Sequence, residues 1–213
     1  MKKLGFPKCQ IVNIESLTQK SYFSKLDEIL PSIESLDLYQ GRWLSNHSLQ
    51  GMCKSPTLSR LNLQGCTQVG ETFVYTALAT RFGFRNVTFL DLRDTFVGDS
   101  EVPCFGRLPN LEQIHFGRTG TKELSHESSQ DHFESRGVIS DHGVVSLCMS
   151  EEADKRSVIK VFSLTRTEIS DKSLTKLAAV YPLKVLDITG STKISNDAIQ
   201  SYMKRRPTCS LIY

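Results

Sequence analysis

The sequence has no long hydrophobic segment and little excess charge of either sign. None of its apolar runs approaches the roughly 18 residues of a membrane span, and its first residues, MKKLGFPKCQIVNI, lack the apolar core of a secretory signal. Lysine and arginine total 26 and aspartate and glutamate 23, so the net charge is only +3. No global field draws such a chain to nucleic acid or to a membrane, and we expect neither as a partner.

Metal-binding and catalytic motifs are also missing. The six cysteines are scattered singly, without a C-x-x-C pair, which favours a reducing cytoplasmic or nuclear location over a disulfide framework. No G-x-S-x-G, P-loop, G-x-G-x-x-G or H-E-x-x-H motif is present. We interpret the remaining candidates as exposed histidines and buried core cysteines, and predict no metal, no cofactor and no enzyme activity; these candidates are His115, His126, His132, His142, Cys53 and Cys148.

What the sequence does contain is a repeat. Pairs of apolar residues two positions apart, the spacing of one face of a strand, occur at Leu36/Leu38, Leu61/Leu63, Leu90/Leu92, Ile114/Phe116, Phe162/Leu164 and Leu186/Ile188. The pairs recur after 25, 29, 24, 48 and 24 residues, which is a period near 24 with one unit of double length. Most have a third apolar residue three positions earlier, as at Leu58, Leu111 and Leu183.

The second half of each unit predicts a helix. An apolar residue, a small or hydroxyl residue and an acid or amide recur at Leu44-Ser-Asn, Val69-Gly-Glu, Val97-Gly-Asp, Ile139-Ser-Asp, Ile169-Ser-Asp and Ile194-Ser-Asn. Serine, aspartate and asparagine cap helices by accepting bonds from free amide groups. Apolar residues five and eight positions after the first then share one helical face.

One strand and one helix cannot bury their own apolar residues, so such units must stack into a solenoid. The stretches LSRLNLQGCTQVG from Leu58 and LKVLDITGSTKISNDAI from Leu183 resemble the cysteine-containing class of leucine-rich repeats. The resemblance implies a single α/β domain over 1–213, an open right-handed solenoid with parallel strands on its concave side and helices on its convex side.

The ends of the chain are expected to be irregular units. Val12 and Ile14 lie 24 residues before Leu36 and Leu38, so we predict a degenerate first unit over 1–30 with a strand at 9–14 and a helix at 24–30. About six repeats fill 31–207, and 208–213 form a terminal strand. An alternative is that the natural chain starts earlier and that Met1 opens a fragment or a short isoform.

Two departures from the repeat stand out. The fourth unit carries a polar insertion near 120–137, which is either a tolerated surface loop or a partner-contacting or phosphorylatable loop. In the third unit Pro103 lies four residues after Asp99, which predicts a short or irregular helix.

Most candidate binding residues follow from strand alternation, because residues that alternate with the buried pairs face the concave side, and Arg118 and Arg166 lie at the carboxyl edge of their strands. The candidates are Asp37, Tyr39, Asn62, Gln64, Asp91, Arg93, His115, Arg118, Ser163, Thr165, Arg166 and Asp187. Arg93, Arg118 and Arg166 come from three consecutive units and could form an edge that holds a carboxylate or phosphate. The other interpretation is a solvated face on which each arginine pairs with an acid such as Asp94 or Glu168.

The repeat class also resembles that of F-box and leucine-rich-repeat proteins. The resemblance implies a non-catalytic substrate adaptor of an SCF-type ubiquitin ligase, acting in ubiquitin-dependent protein breakdown and binding a protein partner on the concave face. No F-box is recognisable ahead of Val12, so contact with ligase scaffold subunits would need an upstream F-box. The alternative is a stand-alone leucine-rich-repeat adaptor or inhibitor without a ligase role. In isolation we expect a monomer.

Overall fold

A computed structural model describes residues 3–5, 28, 30–44, 49, 52–70, 83–119, 137–149 and 158–213. Within these ranges the chain forms one sheet of eight strands in which all neighbours are parallel and the order follows the sequence. The first and last strands lie at opposite edges, so the sheet is open. The strands are β1 (Lys3–Gly5), β2 (Ser35–Asp37), β3 (Arg60–Asn62), β4 (Phe89–Asp91), β5 (Gln113–Gly117), β6 (Val161–Thr165), β7 (Val185–Asp187) and β8 (Ser210–Ile212).

The predicted apolar pairs form the sheet side of the core. All twelve residues of the six pairs are at most 2% exposed, and they belong to one continuous cluster. Their first members lie directly opposite one another in neighbouring strands: Leu36, Leu61, Leu90, Ile114, Phe162 and Leu186. The ladder confirms that each unit adds one strand in the same register, so the core is continuous through the stack.

Helices follow four of the described strands. A short 3₁₀ helix spans Val102–Arg107, and three α-helices are α1 (Asp141–Met149), α2 (Asp171–Val180) and α3 (Asn196–Arg205). The 3₁₀ helix contacts α1, α1 contacts α2 and α2 contacts α3. Pro103 lies in the first turn of the 3₁₀ helix, so the predicted short helix is confirmed.

The predicted helix faces are buried where the structure describes them. Each of these residues is at most 7% exposed: Leu49, Met52, Val102, Phe105, Val144, Leu147, Leu174, Leu177, Ile199 and Tyr202. The corresponding residues of the second unit, Val74 and Ala77, lie outside the described residues.

Serines cap the helices as predicted. The Ser170 hydroxyl accepts a bond from the Lys172 amide at the start of α2, and the Ser195 hydroxyl accepts one from the Ala198 amide at the start of α3. Each bond satisfies one amide that the first turn of a helix leaves without a partner.

The aspartates of the recurring motif have a role that the sequence did not reveal. Each of them bonds to the next unit. Asp171 accepts bonds from the amide and the hydroxyl of Ser195, both at 2.7 Å. Asp141 accepts from the amide of Ser170 at 2.9 Å and from its hydroxyl at 2.5 Å. Asp99 bonds in the same way to the amide and the hydroxyl of the serine that precedes α1. Three consecutive steps of the stack therefore share one carboxylate-to-serine ladder.

The first strand differs from the prediction. Leu4 of β1 is paired with Leu36 of β2, so the place beside β2 that we expected for residues 9–14 is taken by Lys3–Gly5. Residues 9–14 lie outside the described residues. The spacing misled because a terminal unit need not keep the period of the inner units. At the other end, β8 lies within the predicted terminal strand.

Some predictions fall on residues that the structure does not describe. They concern most of the helix predicted at 24–30 and the insertion apart from Gly137. Where the chain is described, no helix has the length and apolar character needed to cross a membrane.

Candidate functional site

The polar side chains midway along the strands first serve the backbone. In four strands the side-chain oxygen accepts a bond of 3.0 or 3.1 Å from the amide two residues further on. These bonds join Tyr39 to Asp37, Gln64 to Asn62, Arg93 to Asp91 and Thr189 to Asp187. Such local turns fix the direction in which the chain leaves each strand. This polar row therefore has a structural role whether or not a partner binds.

Two members of the row are too buried to offer surface. Asp91 and Ser163 are each only 3% exposed. Neighbouring strands stand about 4.8 Å apart, so the side chains of flanking strands cover those between them. Both therefore offer little surface for the partner contact that we predicted, although both support exposed neighbours. The Ser163 hydroxyl, for example, donates to Asp187 at 3.4 Å.

Arg93 does not take part in a three-arginine edge. Its guanidinium binds the carboxylate of Asp91 through Nε at 3.0 Å and Nη2 at 2.5 Å, and Nη2 also reaches Gln64 Oε1 at 3.4 Å. The bonds that Arg93 donates to Asp91 raise the pKa of Arg93 above its usual value. The Arg93 side chain is thus bonded to Asp91 of its own strand and to Gln64 of the preceding unit.

The acids named as alternative arginine partners form their bonds to other residues. Asp94 accepts bonds from the amide of Thr119 at 2.9 Å and from its hydroxyl at 2.5 Å. Glu168 forms an ion pair with Lys193 at 2.5 Å. The Lys193 ammonium and, to a smaller extent, Arg118 hold the pKa of Glu168 below its usual range. The ion-pair partner of Arg93 is thus Asp91 of its own strand rather than Asp94 or Glu168, while Glu168 does feel the charge of Arg118.

An aromatic and cationic patch crosses three strands on the open face. The guanidinium carbon of Arg60 lies 4.0 Å from the ring centroid of Phe89, and that ring lies 5.3 Å from the ring of His115. Arg60 is exposed, and the two rings are partly exposed. Arg60 and Phe89 alternate with the buried strand residues and so belong to this face, but the sequence did not single them out, because stacking between strands depends on register.

His115 is the titratable group of this patch. Burial lowers its pKa below the usual value, as do the charges of Arg93 and Arg60, whereas Asp91 and Asp187 act in the opposite direction. The net shift is downward, so the imidazole is neutral at pH 7. The patch therefore presents its positive charge through Arg60.

Arg118 and Arg166 do come together. Gly117 stands opposite Thr165 in the sheet, so the two arginines follow directly after the ends of neighbouring strands β5 and β6. They line an open cleft of about 310 Å³. Its other walls are Gly117, Gly137, Val138, Ile139, Thr167 and Glu168.

The remaining predicted residues lie on the same face of the sheet. The Asn62 amide donates to Asp37 at 2.9 Å across β3 and β2, and the Thr165 hydroxyl reaches the Phe116 carbonyl at 3.4 Å. Tyr39, Gln64 and Asp187 are partly exposed beside them.

The sequence offered cysteines and histidines as candidates for metal binding or catalysis. Five cysteines are described, all as free thiols, and the predicted burial of Cys53 and Cys148 is confirmed at 2% and 6% exposure. His142 is exposed as expected, and His126 and His132 lie outside the described residues. Over the described ranges, no three residues of the metal-ligating types are grouped to hold an ion.

Comparison with models of known protein families finds no match for this sequence. A search of curated proteins finds no matching relative either.

Proposed function

We propose that this chain is a leucine-rich-repeat protein whose open sheet face binds another protein. The observation that carries the proposal is the register of the strands. Because each unit places the same sequence positions opposite those of its neighbours, its exposed side chains form rows that continue from unit to unit. Stacked repeats with continuous rows provide an extended surface that suits a protein partner.

The position that gives the cysteine-containing class its name supports the assignment. In leucine-rich repeats an asparagine or cysteine follows the second strand leucine by three residues. Cys66 stands there in its unit, is fully buried and directs its thiol to the Leu38 carbonyl of the preceding unit at 3.2 Å. Ser191 holds the same place later in the chain and donates to the Leu164 carbonyl at 2.9 Å. Burial raises the pKa of the Cys66 thiol to about 12, so this cysteine acts as a neutral donor.

The chemistry of the face fits protein recognition. Arginine and aromatic side chains dominate the binding energy of protein interfaces when they sit together in a partly desolvated patch. Arg60 and Phe89 form such a pair. Both belong to the central part of the sheet, flanked by strands on either side.

We further propose that the partner is a substrate of an SCF-type ubiquitin ligase, with this chain as the substrate adaptor. This part rests on the resemblance of the repeat class to F-box and leucine-rich-repeat proteins. Acting as an adaptor needs no catalytic residue in this chain, which suits a surface built for binding.

Affinity capture of the full-length protein from its native cells, followed by mass spectrometry, tests the proposal. We expect ligase scaffold subunits and at least one further protein to be enriched. Enrichment of a partner without scaffold subunits would overturn the ligase role and favour the stand-alone adaptor or inhibitor. Failure to enrich any protein would overturn the binding function as well.

Paired variants locate the surface. Arg60→Glu reverses the charge over Phe89 and should reduce capture of the further protein at least tenfold. The matched control is Lys172→Glu, which makes the same charge change at an exposed residue of α2. Equal loss in both variants would show that net charge, not this face, governs binding.

A further inference from the structure

The cleft between Arg118 and Arg166 differs from the rest of the face in its charge. The two arginines extend from neighbouring strand ends, and the Arg118 amide is bonded to the Thr165 carbonyl at 2.9 Å. The opposite wall comes from the chain before α1, where the Ile139 carbonyl accepts from the Glu168 amide at 2.8 Å. Backbone bonds thus hold the walls together, so the cleft is built before any ligand arrives.

The carboxylate in this cleft is largely offset. Glu168 lies against Lys193, and the attraction of Lys193 and Arg118 keeps it ionised. Among the residues that the structure describes at this cleft, the charged groups Arg118, Arg166, Lys193 and Glu168 together carry a net positive charge. An anion that enters beside the two arginines is attracted by them more strongly than it is repelled by Glu168.

The backbone conformation at Arg166 is costly. Its φ is +50°, in the left-handed region; the equivalent turn position is a glycine in two units, Gly65 and Gly190 with φ +74°, and a residue with a side chain in two others, Gln40 and Asp94. The Arg166 side chain runs over Gly190, where an added Cβ would come within 2.8 Å of Arg166 Cγ. A glycine would suit this conformation better, so a side chain at this position lowers stability.

We propose that this cleft binds a phosphoryl group carried by a serine or threonine of the protein partner. The inference rests on the proposed protein-binding function and names the chemistry of one of its contacts. A carboxylate has two oxygens and is satisfied by one guanidinium fork, whereas a phosphoryl group has three oxygens and up to two negative charges. Two arginines on adjacent strands fit the second ligand.

The direct test measures binding of fluorescent peptides to the full chain by anisotropy. The probe is a peptide library with phosphoserine at its centre and random flanks; the same library with serine or with glutamate serves for comparison. We expect the phosphoserine library to bind at least tenfold more tightly than either. Equal binding of the glutamate library would overturn the proposal in favour of a general acidic motif.

Variants then assign the binding to the cleft. Arg118→Gln and Arg166→Gln should each weaken phosphopeptide binding about tenfold or more, and Glu168→Gln should strengthen it about threefold because it removes the opposing charge on the described walls of the cleft. Arg166→Lys keeps the charge without the planar fork and should weaken binding less than Arg166→Gln. Arg205→Gln, an exposed arginine at the end of α3, is the matched control and should change nothing.

Other outcomes separate this proposal from its rivals. Unchanged affinity in both cleft variants, with the fold intact by circular dichroism, would overturn it. So would tighter binding to vesicles containing phosphoinositides than to the peptides, which would point to a membrane. If phosphopeptides do not bind but capture of the partner still depends on Arg60, the phosphoryl site is refuted and the proposed binding face is not. If phosphopeptides bind but Arg60→Glu leaves capture of the partner unchanged, the proposed binding face is refuted instead.

Discussion

The carboxylate of Asp141 accepts hydrogen bonds from both the amide and the hydroxyl of Ser170, the residue that caps the next helix along the chain. It also accepts a bond from the amide of Ser173 at 3.2 Å and another from its hydroxyl, which is fully buried. A single aspartate at the start of one helix therefore fixes the start of the next. This link holds neighbouring units together without any apolar contact.

Removing this carboxylate should destabilise the protein. Asp141→Ala leaves the amides and hydroxyls of two serines without their acceptor, one of them in the core, so we expect the free energy of unfolding to fall by about 2–3 kcal/mol. Urea denaturation measures the change. The control is Asn196→Ala, because Asn196 occupies the same motif position in the last unit and is exposed; it should cost less than about 0.5 kcal/mol. Equal losses would contradict the inter-unit role.

The same carboxylate predicts a pH dependence. Burial raises the pKa of Asp141, but the bonds from Ser170 and Ser173 outweigh it, and the pKa lies below the usual value of 3.8. A lowered folded-state pKa means that the stabilisation is present above about pH 4 and is lost as the pH falls through the lowered value. The difference in unfolding free energy between wild type and Asp141→Asn should therefore shrink towards pH 2. A difference that stays constant between pH 7 and pH 2 would refute this.

Gly117 should not tolerate a side chain. Its φ is +98°, and an added Cβ would lie 1.9 Å from the Thr165 carbonyl oxygen of the neighbouring strand. Gly117→Ala should lower the free energy of unfolding by an amount on the order of 3 kcal/mol. The control Gly98→Ala meets only ordinary contacts of 3.4 Å or more and should cost less than about 1 kcal/mol. Thermal unfolding compares the two, and a mild effect at Gly117 would show that the turn can open.

Arg166 should trade stability for binding. Because its left-handed backbone favours glycine, Arg166→Gly should raise the free energy of unfolding by about 0.5 to 1 kcal/mol while abolishing phosphopeptide binding. Gln40→Gly is the matched control, since Gln40 holds the same turn position with φ +56° and should gain stability without losing binding. A clear loss of stability in Arg166→Gly would refute the strain argument.

The fold was predictable because packing repeats. Every unit buries the same two strand residues, so the spacing of Leu61/Leu63 and its equivalents predicted both the strands and their register. The first strand escaped because Leu4 and Leu36 lie 32 residues apart, outside the period, whereas Val12 and Ile14 fit it by spacing alone. The last strand also has a neighbour on one side only, but Leu211 lies 25 residues after Leu186 and keeps the period.

The candidate site was harder to predict. Strand alternation correctly placed Arg93 on the open face. Its guanidinium binds Asp91 instead of joining the other two arginines, and this depends on side-chain geometry within one strand. The cleft joins residues near 117, 138 and 167, which are distant in the sequence and adjacent only through the stack. The carboxylate-to-serine ladder was visible as a recurring Ser-Asp pair, yet the pair alone does not reveal that its acid bonds to the following unit.

A protein partner bound on the open sheet face would lie within reach of a crosslinker placed there, so site-specific photocrosslinking can detect it. The photoreactive amino acid p-benzoylphenylalanine is placed at Phe89 on that face or at Thr175 on the exposed side of α2, in the full-length protein within its native cells. We predict a covalent adduct with another protein from position 89 and none from position 175. Adducts from position 175 with none from position 89 would contradict the account.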